Sequence, residues 1–478
     1  MKYEVVIGLE VHVELSTESK LFCSCSAKFG ADANENVCPA CIGMPGYPPV
    51  TNRKAIELGI VSGLVTNCEI SNTITFDKKN YYYPDLPAGY QITQLFNPIC
   101  QNGYIDIQTS QGEKRIKIKQ IHIEEDAGKL VHDSFTDSSL VDYNRTSVPL
   151  VEIVSMPDFS NAEEVIAYLE KLRALLTFSG VSDCKMQEGS MRADINISVR
   201  EKGSQKLGTR TEMKNMNSFK AITRAIEYES QRHIDALETG VEELVQETRR
   251  WDDNKNQSFS MRSKENATDY RYFPNAELMP IIIDDAWISK VKFGLPELAH
   301  EKYERYLSDY KLPEQDSRIL TTSKALTDIF DETMKHTDRP KEAANWLLVE
   351  LMNLVKVESK SIDDIQMDGK KIAKIIELVD QKTINRTTAK EIFAEIFKND
   401  VNPEEYIEKH GLGMVSDENA LLEAAKLALA ENQKSVAEYK EGNQKVIGFF
   451  VGIIMRKMNG KADPAMVNQI LKKLLDEA

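Results

Sequence analysis

The stretches of this chain whose apolar residues alternate with a period of two lie before about residue 295, and beyond it the patterns are helical, so no single layer architecture can hold both parts. The opening run VVIGLEVHVEL (5–15) sets the first regime. Val11 and Val13 alternate with Glu10, His12 and Glu14. Side chains two apart on a strand share a face, so one face carries carboxylate, imidazole and carboxylate. Such alternation ordinarily marks a sheet with one wet face. In KRIKIKQIHIEED (114–126) the apolar parity passes from Ile116 and Ile118 to Ile121 and Ile123, which predicts a β-bulge at Lys119–Gln120. MRADINISVR sets Arg192, Asp194, Asn196 and Ser198 against Ile195, Ile197 and Val199, and GTRTEMKN aligns Arg210, Glu212 and Lys214. Two helices interrupt these strands. One opens on a capping box of Ser160 and Glu163 and closes at Gly180; the other ends near Gly240. Strands and helices in this mixture give an α+β domain built on a mixed or antiparallel sheet.

Beyond residue 295 the patterns are helical and are punctuated by LPEL, KLPEQ, DRPKE and NPEEY, with proline at helix boundaries. The reading is a strand-rich domain over 1–294, a helical domain over 295–405 and a small all-α tail over 406–478. No internal repeat or low-complexity linker occurs. VIGFFVGIIM (446–455) is the longest apolar run and is too short to span a bilayer; Gly448 and Gly452 predict close packing of a short core helix. With 41% apolar and 28% charged residues the chain has the composition of a soluble globular protein, and no signal-peptide pattern opens it. The expected compartment is the cytoplasm, with no membrane association. The net charge of −15 argues against binding nucleic acid over the whole surface. The tail departs from this balance. Between Lys440 and Lys473 the basic residues Lys440, Lys445, Arg456, Lys457, Lys461, Lys472 and Lys473 face only Glu441 and Asp463, which suits either a solvated face or a nucleic-acid backbone.

All seven cysteines lie at or before Cys184. In a reducing compartment they read as thiols or metal ligands. Cys23, Cys25, Cys38 and Cys41 form C-x-C-x12-C-x2-C, two close pairs across a short loop, as tetrahedral zinc requires; reduced structural thiols are the alternative. Four thiolates leave no open position for substrate, so such a site is structural. Cys68, Cys100 and Cys184 are expected as buried apolar residues.

Four candidate strands offer acids or metal-capable groups: Glu10 with His12, Glu124 with Glu125, Asp194 with Asn196, and Glu212 with Lys214. Magnesium binds through a few carboxylates, waters and phosphate oxygens, so a sheet face collecting acids suits metal-assisted phosphoryl transfer; unrelated ion pairs on a polar face would look the same. The usual nucleotide signatures are missing. GSQKLGTR has P-loop glycine spacing but Thr209 stands where lysine is required. There is no nucleophile elbow and no kinase catalytic set. DKKNYYYPDLPAGYQITQ (77–94) and DYRYFP (269–274) mix Lys and Tyr in a way that suits phosphate and base contacts or ordinary tyrosine packing.

Taken in order, VIGLEVHVEL, FDKKNYYYPDLPAGYQITQ, IHIEEDAGKL, LVDYNRTSVPLVEIVS, EGSMRADINISVR, TEMKNMNSF and DYRYFP closely resemble the B-subunit family of the bacterial aspartyl/glutamyl-tRNA amidotransferases, and the tail is similar to GatB/YqeY domains. The resemblance covers essentially the full chain. It implies a catalytic cradle similar in fold to glutamine synthetase. It also implies binding of misacylated Glu-tRNA(Gln) or Asp-tRNA(Asn), phosphorylation of the side-chain carboxylate with ATP and Mg2+, and transamidation by ammonia. An A subunit supplies that ammonia and a C subunit clamps the assembly. On this resemblance Glu10, His12 and Glu125 are catalytic. Glu10, His12, Glu124, Glu125 and Asp194 are the ligands of Mg2+, with Mn2+ as an alternative because histidine is unusual for magnesium. Lys79, Arg192 and Lys214 are candidate phosphate contacts, and Lys445, Arg456 and Lys457 candidate tRNA contacts. Two other readings stay open, a non-catalytic tRNA-binding module and a free-standing carboxylate–amine ligase.

Overall fold

The computed structural model describes residues 2–132, 138–263, 267–413, 418–440, 443–458 and 462–477; Glu441 and Lys461 of the tail lie outside them. The chain divides into two compact units, Met1–Leu298 and Ala299–Ala478. The first unit holds the strands β1 (Tyr3–Glu14), β2 (Glu69–Ile70), β3 (Thr73–Ile74), β4 (Asp77–Asn80), β5 (Tyr90–Thr93), β6 (Cys100–Thr109), β7 (Gly112–Glu125) and β8 (Lys129–His132). They are followed by β9 (Ser139–Asp142), β10 (Pro149–Ser155), β11 (Met191–Glu201), β12 (Thr211–Lys214), β13 (Glu247–Asp252), β14 (Gln257–Ser263), β15 (Phe273–Pro274) and β16 (Ile281–Ile282). Nine of them form one sheet in the order β14-β13-β12-β11-β1-β10-β7-β6-β2, in which only β12 and β13 run parallel. The opening strand is therefore central, with β10 on one side and β11 on the other.

One face of the sheet carries Val11, Val13, Ile121, Ile123, Ile153, Ile195 and Ile197, all buried. Against it pack α1 (Arg53–Val65), α2 (Ala162–Phe178) and α3 (Phe219–Thr239). The parity switch in β7 has the expected cause. Gln120 pairs with Val154 and Ile118 with Ser155, so Lys119 is the extra residue of a bulge that keeps isoleucines on the core side at both ends. The helix starting near 160 is capped one residue later than expected. Asn161 is the cap: its side chain accepts from Glu164 N at 3.0 Å, and Glu164 Oε2 accepts from Ser160 N at 2.7 Å, while Glu163 turns away to Ser110. Both residues have a glutamate three positions on, and asparagine caps as well as serine does; Glu163 is engaged by the Ser110 amide and hydroxyl, which leaves Glu164 to accept from Ser160 N and Asn161 to cap. Gly240 ends α3 in the left-handed conformation, at φ 64°.

The second unit is helical and contains two apolar clusters among its described residues. One gathers Tyr306, Phe330, Trp346, Leu347, Ile376 and Phe393, and the other Leu421, Phe450, Ile454, Val467 and Leu471. The prolines sit where helices begin, Pro340 and Pro403 inside the first turn and Pro313 at an N-cap. The expectation for Gly448 and Gly452 is corrected. In the helix Val446–Lys457 a Cβ on either would meet nothing within 4 Å, because the buried stripe runs through Val446, Ile447, Phe450 and Ile454 and leaves the glycines on the open side. Among the described residues no helix is long and apolar enough to cross a membrane.

Candidate metal centre on the central strands

The face opposite the helices is polar, and it is covered. Thr93 Oγ1 of the β4–β5 hairpin donates to Glu124 Oε2 at 3.0 Å, and Gln91 Nε2 donates to Glu125 O at 2.8 Å. The wet outer face that alternation alone suggests is thus an inner wall, with the Glu124 side chain 4% and the Glu152 side chain 14% exposed.

Register builds the centre. His12 on β1 lies directly across from Glu152 on β10, which lies directly across from His122 on β7. Glu124, two residues past His122, shares their face. His12 Nε2 stands 3.3 Å from Glu124 Oε1 and 3.5 Å from Glu152 Oε2, and His122 Nε2 stands 2.8 Å from Glu152 Oε2. One ligand atom each from His12, Glu124 and Glu152 fits within 4.8 Å, the spacing that a single cation bridges. Burial disfavours the charged imidazole of His12, but Glu152 and Glu124 outweigh it and hold the ring well above its ordinary value. The same competition raises His122 to about 9. Both carboxylates stay ionised: burial opposes this, and the two imidazoles overcome it. The result is a compact group of two carboxylates and an imidazole in a half-dry site; a cation that displaces the His12 proton would find there a donor set that suits manganese, with magnesium favouring the two carboxylates.

The other expected ligands fall around this group. Glu10 is paired across with Asp194, one step along the face, and its Oε1 accepts from Asn196 Nδ2 at 3.0 Å. Glu125 is not in the group. Adjacent residues on a strand point to opposite sides, and its Oε1 accepts from Ile92 N at 2.8 Å. Burial raises its carboxyl to about 7, and it lines a cavity of about 270 Å3 shared with Cys41, Asp126 and Ser147. Glu14, the last acid of β1, is likewise pushed up to about 7 by burial and by nearby Asp126.

The expected phosphate contacts differ in what already holds them. Arg192, across from His12, binds Asp126 Oδ2 at 2.7 Å, while its buried Nε has no hydrogen-bond partner. Lys214 bridges Asp194 and Glu212, and Thr248 Oγ1 fixes Glu212 from the next strand at 2.8 Å. Lys79 Nζ lies over the rings of Tyr270 and Tyr81, at 4.8 and 5.6 Å. The two tyrosine-rich stretches therefore meet: β15 pairs with β4, and Tyr81 and Tyr270 touch edge to face at 6.0 Å. In the tail Lys445 and Arg456 are exposed, and Lys457 pairs with Glu431 at 2.5 Å.

The cysteine knuckle is a second metal-capable group. One sulfur each from Cys23, Cys25, Cys38 and Cys41 lies within 4.8 Å of the others, and Cys38 N donates to Cys41 Sγ at 3.2 Å. Such an amide–sulfur bond within C-x2-C stabilises a thiolate, so the residues fit zinc. Cys100 and Cys184 are buried as expected, and Cys68 is half-buried.

Glu152 and His122 are the residues that the strand patterns did not single out. Glu152 is the lone charge in PLVEIVS, and a carboxylate isolated inside an apolar strand is the signal that could have found it.

Fold and site together describe an α+β protein with a metal-capable group of two carboxylates and an imidazole at the middle of its sheet. The GatB/GatE catalytic domain family matches residues 5–289, and the GatB domain family matches residues 328–475. The B subunit of the aspartyl/glutamyl-tRNA(Asn/Gln) amidotransferase from Lachnoclostridium phytofermentans is 55% identical over 476 residues, covering 100% of this chain and 99% of that one. The protein of the same description from Caldicellulosiruptor bescii is 52% identical with 100% of both chains covered, and that from Thermodesulfovibrio yellowstonii 48% identical with the same coverage. The chain belongs to the GatB/GatE family.

Proposed function

We propose that this chain is the tRNA-binding, carboxylate-activating component of a tRNA-dependent amidotransferase. It binds Glu-tRNA(Gln) or Asp-tRNA(Asn), phosphorylates the side-chain carboxylate with ATP, and replaces the phosphate with ammonia. The observation that carries this reading is the convergence of His12, Glu124 and Glu152 from three adjacent strands, in a chain whose relatives are described as amidotransferase B subunits.

The chemistry explains why such a face is wanted. A carboxylate is a poor acyl donor because oxide leaves badly. Its oxygen attacks the γ-phosphorus of ATP, and the bond to ADP breaks. The nitrogen of ammonia then attacks the activated carbonyl carbon, phosphate departs with the bonding pair, and one proton is lost. A divalent cation, when bound, neutralises charge on the phosphate oxygens. His12, Glu124 and Glu152 would hold it, with Glu10 and Asp194 one step along the sheet and Glu125 at the edge of the adjoining cavity. Arg192, tied to Asp126 but with one N–H unpartnered, and Lys79, which among the described residues is held by rings rather than by an acid, are the cations proposed to meet phosphate oxygens. Lys214 must share itself with Asp194 and Glu212.

In this reading residues 1–294 are the cradle, 295–405 a helical domain, and 406–478 the part that meets tRNA through Lys445, Arg456 and Lys457. An A subunit makes the ammonia from glutamine, a C subunit completes the heterotrimer, and zinc at the four cysteines is structural.

The test uses the chain assembled with its A and C subunits, ammonium chloride in place of glutamine, ATP, Mg2+ and Glu-tRNA(Gln). Ammonium bypasses the A-subunit chemistry. We expect Gln-tRNA(Gln) from the wild type, a fall of roughly 100-fold or more on removing His12 or Glu152, and unchanged tRNA affinity. Activity of His12→Ala and Glu152→Gln at the wild-type level would overturn the assignment of this face. Glu125→Ala, run beside them, reports whether the cavity carboxyl takes part.

A further inference from the structure

We propose that the buried ammonium of Lys20 is the charge-compensating donor of the cysteine metal centre, hydrogen-bonded to a metal-bound Cys41 thiolate. The inference rests on the reading of the knuckle as a zinc site.

Lys20 is fully buried, at 0% exposure, and it is one of the largest side chains with no solvent contact. Among the described residues its ammonium meets no carboxylate. Its polar neighbours are Cys41 Sγ at 3.6 Å and the carbonyl oxygen of Tyr143 at 3.3 Å. A lysine rarely enters a protein interior without an anion beside it, because desolvating an ammonium is far costlier than desolvating a neutral group. A neutral thiol or a disulfide at Cys41 would leave Lys20 with one carbonyl and no counter-charge. Four thiolates around a divalent metal carry a net charge of two minus, and Lys20 halves it. Burial of the lysine therefore argues that Cys41 is a thiolate, the state in which a cysteine ligates a metal, and the other three cysteines beside it complete the ligand set.

The donor pattern agrees. Cys41 is the buried member of the four, and it receives a second bond from Cys38 N at 3.2 Å. Donors on a metal-bound sulfur draw off electron density and make the thiolate a poorer target for protons and chelators. Lys20 also sits at a junction. Its own N–H donates to Cys25 O at 2.9 Å, and the next residue, Leu21, donates to Ser147 O at 2.8 Å, two residues before β10 begins. Lys20 thus ties the two cysteine pairs together, and its neighbour Leu21 ties them to the segment that leads into the strand carrying Glu152. Lys20 is a positioning residue for the metal and has no part in bond making.

The experiment uses the full chain purified with zinc. Bound metal is measured by elemental analysis, and its release to a chromogenic chelator is timed for the wild type, Lys20→Met and Lys20→Gln; the cobalt-substituted proteins are compared by absorption. We expect one zinc per wild-type chain and release roughly 10–100-fold faster from Lys20→Met, with Lys20→Gln between them because it keeps an N–H but not the charge. The sulfur-to-cobalt charge-transfer bands should move to lower energy in Lys20→Met. A folded Lys20→Met that releases zinc at the wild-type rate, with unchanged cobalt bands, overturns the role of Lys20 and leaves the zinc site standing. Should Lys20→Met fail to fold, wild-type release from Lys20→Gln overturns it equally. A wild type that binds neither zinc nor cobalt overturns the knuckle reading, and this inference with it.

Discussion

Glu152 shows how little of a metal centre one strand reveals. It sits alone among Leu150, Val151, Ile153 and Val154, yet it stands between two histidines supplied by the strands on either side of it. We expect Glu152→Gln to weaken Mn2+ binding, followed by electron paramagnetic resonance, by more than the roughly 10–100-fold that loss of an outer partner produces; equal affinity would remove it from the site. Glu125 teaches the opposite lesson. The adjacent pair Glu124–Glu125 invites both carboxylates into one site, but the pleat sends them to opposite sides. Only Glu124 reaches His12, while Glu125 caps the Ile92 amide beside the cavity. The alternation rule that located Glu10, His12 and Glu14 on one face also separates this pair. The choice between them needed the direction in which β7 faces.

The helix α3 is joined to the far edge of the sheet by charge. Glu229, wholly buried, binds Arg232 at 2.5 Å and lies 3.3 Å from His233, whose Nε2 reaches Thr211 Oγ1 on β12 at 2.9 Å. Ser258 Oγ of β14 donates to Glu229 Oε2 at 2.8 Å. Burial works against the carboxylate, but the hydrogen bonds from His233 and Arg232 win and lower Glu229 from 4.5 to about 2. A carboxyl whose folded value lies below its unfolded one stabilises fully above the unfolded value. Its contribution should therefore be complete above about pH 4.5 and fade as the pH falls toward 2. Urea titrations across that window should show wild-type stability dropping and Glu229→Gln much flatter, with the variant less stable at neutral pH by roughly 3–5 kcal/mol. Parallel curves would mean that the network is not what anchors α3. The end of the helix was readable from Gly240, whose cap chemistry is local. The partners of the helix were not, because β12, β13 and β14 reach it only through tertiary packing. The cap of α2 slipped by one residue for a related reason: Ser160 and Asn161 are both good caps, each followed three residues on by a glutamate, and Glu163 is drawn off by Ser110, a residue 53 positions away.

The charge of the protein is unevenly spread. In an acidic chain of net −15, the stretch from Lys440 to Lys473 is locally basic, with Lys445, Arg456, Lys472 and Lys473 exposed and Asp463 the one acid among its described residues. If that segment meets the tRNA backbone, each phosphate contact releases counterions. Lys445→Ala with Arg456→Ala should then weaken tRNA binding and lower the slope of log affinity against log salt by roughly 2, while Mn2+ binding at the sheet is unchanged. Filter binding at several salt concentrations measures this, and an unaltered slope would move the contact elsewhere. The sequence alone determined the division into a strand-rich and a helical part, the bulge at Lys119, the glycine that closes α3, the prolines at helix starts, the four-cysteine spacing and the family. All of these depend on residue period, capping or motif order, which neighbours in the chain decide. Only the tertiary structure decided which acids share a site, that the polar face is roofed by the β4–β5 hairpin, that the two tyrosine stretches meet around Lys79, and that Lys20 is buried against a thiol. Each of these joins residues far apart in the chain, and their meeting is set by strand order: β1 lies between β10 and β11, so His12 gains its partners from residues more than a hundred positions away.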